Sequence, residues 1–305
     1  MLNPQYDIIP TMKQLSRDDQ DKIAAYRKTL GKYEKPSVTA DIVAVRPAFG
    51  ELRDDQWREN PKFALELLLI KRGQWPHEGC WALPGGFVRS DETVEEGARR
   101  ELMEETALEA RSLIPIGTFS KPGRDMRAWI ISNAFVSVHG RGEGGNVKGG
   151  DDAAMAKWLR IEYPTVGNGS FDIPFYDGEE RLFTLRGKYK PEEFGGGTVT
   201  EEEENPLAFD HGEIIATAFL RMLSYDLRKL VFFFLPEKFT LSDYIGVYQY
   251  LTRYSIEPGN IPNFRRQLTE TKNPLLAACD GEYADLQGRG HAPAKLYRRS
   301  ETVRI

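Results

Sequence analysis

Three carboxylates at helical spacing are the clearest chemical feature of the sequence. Glu101, Glu104 and Glu105 stand at i, i+3 and i+4, so on a helix they share one face within a turn. Like charges at that spacing destabilise a helix unless a cation neutralises them. Mg²⁺ and Mn²⁺ prefer carboxylate oxygens, bridge them to substrate phosphates and activate water. Helix geometry alone leaves two interpretations open, a divalent-metal site or an acidic face in contact with water.

The helix that must position these carboxylates is predicted over residues 93–106. Thr93 and Glu96 have the spacing of a capping box, which marks its N-terminus. The preceding segment 82–86, ALPGG, predicts a tight turn. Other elements predicted from apolar periodicity are a helix at 15–30 and strands at 37–45, 63–72, 128–138 and 157–161.

The full pattern from Gly86 to Leu108, GFVRSDETVEEGARRELMEETAL, resembles the Nudix box, and LPGG before it adds to the match. It departs from the family at Ala107, where the family has glycine. The resemblance implies an α/β fold, a mixed sheet sandwiched between helices, with the box as loop–helix–loop. It also implies hydrolysis, dependent on Mg²⁺ or Mn²⁺, of a nucleoside diphosphate linked to another moiety.

The resemblance assigns roles to residues of the box. Glu101, Glu104 and Glu105 are expected to bind the metal together with the carbonyl of Gly85. Arg100 is expected to orient the glutamates through charge-assisted hydrogen bonds, and Glu92 is expected to support the loop. Ala107 weakens the expected left-handed C-cap by about 1 kcal/mol, without removing a ligand.

The substrate class is indicated by Pro122, fifteen residues beyond Ala107. A proline at that offset resembles the ADP-ribose pyrophosphatase subgroup, which implies an ADP-ribose-like nucleotide. Arg124 and Arg127 are candidates for phosphate contacts and Trp129 for an apolar wall; the alternative for the arginines is a solvated loop.

Three further candidates have open alternatives. Arg72 either meets phosphates or marks an exposed strand end. The resemblance to that subgroup implies a late acidic residue that positions or deprotonates the attacking water; Asp151 and Asp152, after the glycine-rich loop at 139–150, either take this role or cap a loop. The four histidines show no ligand spacing, so no chemistry is assigned to them.

The remaining chain predicts a second domain. Helices at 211–227, 240–253 and 261–271, followed by two β-like runs, match the layout of a winged helix-turn-helix. Several segments, among them LAFDHGEIIATA (207–218), resemble NrtR-like proteins, Nudix-related transcriptional regulators of NAD and sugar metabolism. The expected organisation is a helical extension at 1–34, a Nudix domain at 35–204 and the winged helix at 205–305. Insertions, as loops, are expected at 139–150 and 163–204. Within the second, PEEFGGGTVTEEEEN (191–205) is expected to be a linker or a hairpin tip, and its glutamates at 201–204 are either a solvated linker or a functional acidic cluster.

DNA binding is predicted from the placement of basic residues. Arg265 and Arg266 lie on the proposed recognition helix, and Arg289, Lys295 and Arg298 lie on the proposed wing. Residues 205–305 carry 13 Lys and Arg against 11 Asp and Glu, a net charge of +2 within a chain of −5. The alternative is a small helical domain that mediates protein contacts.

The composition argues against a disordered, a collagen-like and a disulfide-framework protein. With 40% hydrophobic and 29% charged residues among 305, the sequence is typical of a globular protein of two domains. It has no apolar run of membrane-spanning length and no secretory signal pattern, so a cytoplasmic protein is expected. Two functions remain. One is an ADP-ribose-type hydrolase, and the other is a ligand-responsive repressor that binds an operator in double-stranded DNA as a homodimer.

Overall fold

The computed structural model describes residues 16–49, 63–110, 112–140, 144, 153–162, 165–191, 197–202, 204–224, 226–252, 254–284 and 293–303. Up to residue 201 its elements are α1 (Arg17–Leu30), β1 (Ser37–Phe49), β2 (Phe63–Arg72), β3 (Trp81–Ala82), β4 (Gly85–Phe87), α2 (Val94–Thr106), β5 (Ile114–Phe119), β6 (Ile130–Val138), β7 (Ala153–Ile161), β8 (Thr165–Gly167), β9 (Ser170–Asp177), β10 (Glu180–Pro191) and β11 (Gly197–Glu201). The elements that follow are α3 (His211–Ser224), α4 (Leu227–Leu230), a 3₁₀ turn (Val231–Phe234), β12 (Phe239–Thr240), α5 (Leu241–Thr252), a 3₁₀ turn (Pro258–Asn260), α6 (Ile261–Thr269), β13 (Leu276–Ala284) and β14 (Ala294–Arg299).

A large mixed sheet organises the molecule. Its strand order is β11-β10-β9-β7-β2-β1-β6-β5, with β3, β4 and β8 attached to β2, β1 and β9. The β1–β6 pair is parallel, whereas β1 is antiparallel to β2 and to β4. Helix α3 contacts both end strands, β11 and β5, so the sheet curls around it.

Alternating side chains build a core on each face of this sheet. On β1, Ile42 and Ala44 face the cluster that contains Ala98 and Leu102 of α2, while Val43 faces the cluster that contains α3. The period of two along a strand places alternate residues on opposite faces. The predicted mixed sheet between helices is therefore confirmed.

The prediction that residues 163–204 are an inserted loop is wrong, whereas the antiparallel pairing of β10 with β11 agrees with the hairpin alternative for 191–205. Residues 165–201 form strands β8 to β11, which extend the sheet and bury Phe171, Ile173 and Phe175. Glu201 ends β11 and accepts a hydrogen bond from Asn205 Nδ2 at 2.5 Å, so this glutamate is not part of a solvated linker. The period-two apolar alternation on β9 explains why the segment is a strand. Most of the predicted loop at 139–150 lies outside the described residues.

Smaller differences concern element ends. Strand β5 was not predicted. The turn expected at 82–86 is narrower, since only Leu83 and Pro84 lie between β3 and β4. The helix expected at 211–227 ends at Ser224, and a separate short helix begins after Asp226, whose side chain accepts from the Arg228 N–H as its N-cap.

The C-terminal part contains helices and a small sheet. Strands β12, β14 and β13 pair in that order, and α5 and α6 precede the β13–β14 hairpin. Thr240 and Asp243 cap α5 reciprocally. The domain boundary at residue 205 stays a prediction; α3, the first helix beyond it, packs on the large sheet and shares a core with α5. None of the described helices is long and apolar enough to cross a membrane.

Candidate active site

Helix α2 is fixed at both ends. Thr93 Oγ1 accepts from the Glu96 N–H at 3.2 Å, and the Thr93 N–H donates to Glu96 Oε2 at 2.7 Å, which completes the predicted capping box. At the other end Ala107 adopts φ 56°, and its N–H donates to the Met103 carbonyl. The left-handed C-cap therefore forms on alanine, a residue that this conformation disfavours.

Arg100 holds the carboxylates of α2 in place. Its Nη1 donates to Glu101 Oε1 at 2.6 Å and to Glu104 Oε2 at 3.1 Å. Its Nη2 and Nε donate to the two oxygens of Glu92 at 2.6 and 3.0 Å, and Nη2 also reaches the Phe87 carbonyl. The hydrogen bonds from Arg100 lower the pKa of Glu92 to about 2, so this ion pair is charged throughout the physiological range. Glu92 thus anchors Arg100.

The glycines of β4 allow the helix to approach closely. A Cβ on Gly86 would lie 2.6 Å from the Glu101 carboxyl carbon, so glycine lets the Glu101 side chain keep the position that Arg100 gives it. Gly85, at φ 156°, donates its N–H to Glu105 Oε2 at 2.9 Å. Burial raises the pKa of Glu105 to about 8, and the charges of Glu101 and Asp41 add to the effect. The Glu105 carboxyl is therefore held in a poorly solvated position near two other carboxyl groups.

Asp41 is a buried carboxylate behind β4. It is 6% exposed, in an otherwise apolar stretch of β1, and Ser132 Oγ on β6 donates to its Oδ2. Burial raises its pKa, against the Ser132 hydrogen bond and the charge of Arg124, which lower it. The Arg124 guanidinium lies 3.8 Å from Oδ2.

The residues at the start of α3 lie beside Arg124 and Asp41. Arg124 donates through Nε and Nη2 to the two oxygens of Asp210 at 2.7 and 2.6 Å, and the Arg124 side chain is 4% exposed. His211 Nδ1 accepts from the Leu83 N–H at 2.8 Å. Backbone hydrogen bonds between Trp81 and residues 206 and 208 also attach the segment before α3 to β3.

An aromatic ring connects the arginines on the opposite wall. The guanidinium carbons of Arg72 and Arg127 lie 5.0 and 5.1 Å from the ring centroid of Phe209, at cation–π distance. Arg127 also donates to Asp125 Oδ2 at 2.7 Å. Phe209 adopts φ 54°, a strained conformation that its packed surroundings hold in place.

These walls enclose one cleft of about 550 Å³. Its lining includes the predicted residues Gly85, Arg100, Glu101, Glu104, Glu105, Arg72, Arg124 and Arg127. Pro122 and Trp129 are exposed and do not line it. The side chains at Asp151 and Asp152 lie outside the described residues.

Sequence reasoning missed several cleft residues. Asp41, Asp125, Phe209 and His211 line the cleft, and Asp210 holds Arg124 there. A signal existed for Asp41, because a lone carboxylate in an apolar strand is costly to bury without a purpose. No local signal marks His211, whose position depends on a contact with Leu83, 128 residues earlier.

The donor set fits a hard divalent cation. Every candidate ligand, the three glutamates and the Gly85 carbonyl, offers oxygen. The raised pKa of Glu105 comes first from burial and then from the charges of Glu101 and Asp41, and a cation bound there would offset both effects. In the described part of the chain, no group of three acidic, His or Cys side chains is already gathered around a metal position; Arg100 instead holds Glu101 and Glu104.

The predicted DNA contacts fall on the C-terminal part. Arg265 and Arg266 are exposed on α6. Lys295 and Arg298 are exposed on β14, with Lys295 Nζ 3.4 Å from Asp280 and Arg298 3.8 Å from Glu301. Arg289 lies outside the described residues.

Comparison with known proteins agrees with this site. The family model for the NUDIX domain matches residues 57–172. An ADP-ribose pyrophosphatase of Methanocaldococcus jannaschii is 46% identical over 96 residues, which is 32% of this chain and 55% of that protein, so the chain spans about half of that relative's length. The ADPR responsive transcriptional repressor NtrR of Acinetobacter baylyi is 22% identical over 92% of this chain and 88% of its own length.

The fold is also shared with solved structures. A MutT/nudix family protein from Enterococcus faecalis superposes with a TM-score of 0.60 at 21% identity, covering 94% of this chain and 99% of that one. That likeness shows the fold over nearly the whole chain, including the C-terminal part. The matched segment at 57–172, which includes the box on α2, is similar to the NUDIX domain.

Proposed function

We propose that the cleft binds ADP-ribose or a related nucleoside diphosphate derivative and hydrolyses its pyrophosphate with Mg²⁺ or Mn²⁺. The observation that carries this proposal is the set of carboxylates held against β4, with Glu105 buried at raised pKa beside the Gly85 N–H. The pyrophosphatase of M. jannaschii, 46% identical over 96 residues, supports the substrate class.

Glu101, Glu104, Glu105 and the Gly85 carbonyl would hold the cation. A divalent cation bound there would polarise a phosphorus–oxygen bond and offset the charge of the phosphates. Arg100 keeps the glutamates oriented, since its anchor Glu92 leaves Nη1 free to reach Glu101 and Glu104. Such supporting contacts set ligand geometry.

The arginines of the opposite wall would bind the substrate. Arg72 and Arg127 flank Phe209 and face the cleft, where phosphates approach the cation. Arg124 is already committed to Asp210 by a bidentate pair, so we assign it to positioning instead of phosphate binding. Asp151 and Asp152 remain our candidates for positioning the attacking water.

A substrate screen tests the enzymatic proposal. Purified full-length protein is incubated with ADP-ribose, ADP-glucose, NADH or 8-oxo-dGTP in Mg²⁺ and in Mn²⁺, and the products are separated by ion-exchange chromatography. We expect AMP and ribose 5-phosphate from ADP-ribose. Absence of product from every compound in both metals would refute hydrolysis.

We further propose that the C-terminal part binds an operator in double-stranded DNA and that the cleft ligand modulates this binding. The similarity to the A. baylyi repressor over most of both chains supports it, as do the exposed Arg265 and Arg266 on α6 after a capped α5. In a homodimer, two copies of α6 would reach the two halves of a palindromic site.

Selection from a random duplex library tests DNA binding. We expect an enriched palindrome whose affinity falls steeply with salt. The double variant Arg265→Ala/Arg266→Ala should lose the preference, whereas Lys188→Ala/Lys190→Ala, on exposed positions of β10, should keep it. If no sequence is enriched, the result counts against a regulator and leaves the hydrolase proposal intact.

A further inference from the structure

His211 presents a buried nitrogen to the cleft that nothing in the proposed hydrolysis uses. The residue is 5% exposed and lines the cleft. Because Nδ1 accepts from the Leu83 N–H, it carries no proton, and the hydrogen of the neutral ring is on Nε2. Burial lowers the pKa of His211 to about 3, so the ring stays neutral. The Nε2–H is therefore a fixed donor.

Asp41 supplies an acceptor beside this donor. Its Oδ1 lies 3.9 Å from His211 Nε2, too far for a direct hydrogen bond. Its other oxygen is occupied by Ser132 Oγ. A single oxygen atom can lie within about 2.8 Å of both groups.

The chemistry of that oxygen is restricted. It must accept a hydrogen bond from His211 and donate one to Asp41, and a hydroxyl group does both. A phosphate oxygen at neutral pH only accepts, and it is repelled by a carboxylate. The buried end of the cleft thus discriminates between a sugar hydroxyl and a phosphate.

We propose that Asp41 and His211 determine specificity by binding a hydroxyl of the sugar on the far side of the pyrophosphate. This rests on the proposed function, because it names the moiety that the cleft selects. The placement follows from the neighbours. Asp41 backs onto Gly85, beside the carboxylates expected to hold the cation at the pyrophosphate, whereas Trp75 and Phe87, 70% and 45% exposed, offer stacking surfaces for a base at the margin.

Three substitutions distinguish the loss of a hydrogen-bonding group of His211 or Asp41 from a loss of packing in the fold. In His211→Asn the amide oxygen can replace Nδ1 as the acceptor for Leu83, but no atom reaches the position of Nε2. In His211→Gln the amide nitrogen replaces Nε2 as a donor. Asp41→Asn keeps the shape of the acceptor and removes its charge. Asp172→Asn, on β9 with a side chain that is 50% exposed, is the matched control.

Calorimetric titration in EDTA, which stops the proposed hydrolysis, compares ADP-ribose with ADP on each protein. Since ADP lacks the second sugar, its affinity is an internal reference for damage to the fold. We expect His211→Asn and Asp41→Asn to weaken ADP-ribose binding about tenfold and ADP binding less than twofold, because the first loses a hydrogen bond and the second loses the charge that strengthens one. His211→Gln should weaken ADP-ribose less than His211→Asn, and the control should change neither.

The outcomes are distinguishable. The sugar-hydroxyl site is overturned if the variants lose equal affinity for both ligands, or lose none. It is also overturned if the wild type binds ADP as tightly as ADP-ribose. Each of these results is still compatible with nucleotide binding in the cleft. A wild type that binds neither ligand overturns the proposed function together with this inference. If a His211 variant does not fold, Asp41→Asn decides alone.

Discussion

Arg124 and Asp210 form a bidentate ion pair, at 2.6 and 2.7 Å, between the loop after β5 and the residue that precedes α3. The side chains are 4% and 13% exposed. The pair therefore fastens the helix that leads toward the C-terminal part to one wall of the cleft.

Breaking this pair should destabilise the protein strongly. Asp210→Asn leaves the buried Arg124 charge without its main partner, for which we expect a loss of about 3 kcal/mol. Chemical denaturation monitored by fluorescence measures it. The exposed pair of Lys188 and Glu202 is the control, and Glu202→Gln should cost less than about 0.5 kcal/mol. Similar losses for both variants would contradict a special role for the Arg124 pair.

Arg100→Lys should impair hydrolysis despite keeping the charge. A lysine cannot reach Glu92, Glu101 and Glu104 together, because the guanidinium uses three nitrogens for them. We expect kcat/KM to fall about 10- to 100-fold, as for other residues that orient metal ligands. Arg99→Lys, on the same helix, is the control. A wild-type rate for Arg100→Lys would show that the network does not orient the glutamates.

Local signals explain why the carboxylate helix was predictable and the rest of the cleft was not. Thr93 and Glu96 define the start of α2 within four residues, and the box fixes the glutamates. Asp210 and His211 join the cleft only because the sheet curls around α3, which no local pattern encodes. Strand β9 keeps its apolar alternation at Phe171, Ile173 and Phe175, but Pro174 within β9 and Gly187 within β10 are residues that strands disfavour, so residue type favours a loop there.

Stabilisation by the cation should depend on pH. The pKa of Glu105 is about 8 in the folded protein and 4.5 as the ordinary value. The contribution of protonated Glu105 to the free energy of unfolding is therefore fully present below about pH 4.5 and is lost as the pH rises through about 8. A cation binds the ionised form, so Mn²⁺ should raise Tm more at about pH 8.5 than at about pH 6. Differential scanning fluorimetry measures both shifts. Glu105→Gln should remove the difference; a pH-independent shift in the wild type would contradict it.

Ala107→Gly should stabilise the protein. Ala107 holds φ 56°, which glycine adopts without a steric penalty. We expect a gain of about 0.5–1 kcal/mol, seen as a higher denaturation midpoint. Ala98→Gly, inside α2, should have the opposite sign, because glycine weakens a helix interior. A loss of stability in Ala107→Gly would mean that the left-handed C-cap is not retained.

Release of AMP from ADP-ribose by three proteins tests the central claim most directly. Wild type, Glu105→Gln and Glu109→Gln are assayed in parallel in Mn²⁺ and in EDTA; Glu109 is exposed and outside the cleft. If the carboxylates of the cleft bind the catalytic cation, wild type and Glu109→Gln release AMP in Mn²⁺, and Glu105→Gln releases it at least about 100-fold more slowly. No protein releases AMP in EDTA. Equal activity of Glu105→Gln and wild type, or undiminished activity in EDTA, would contradict it.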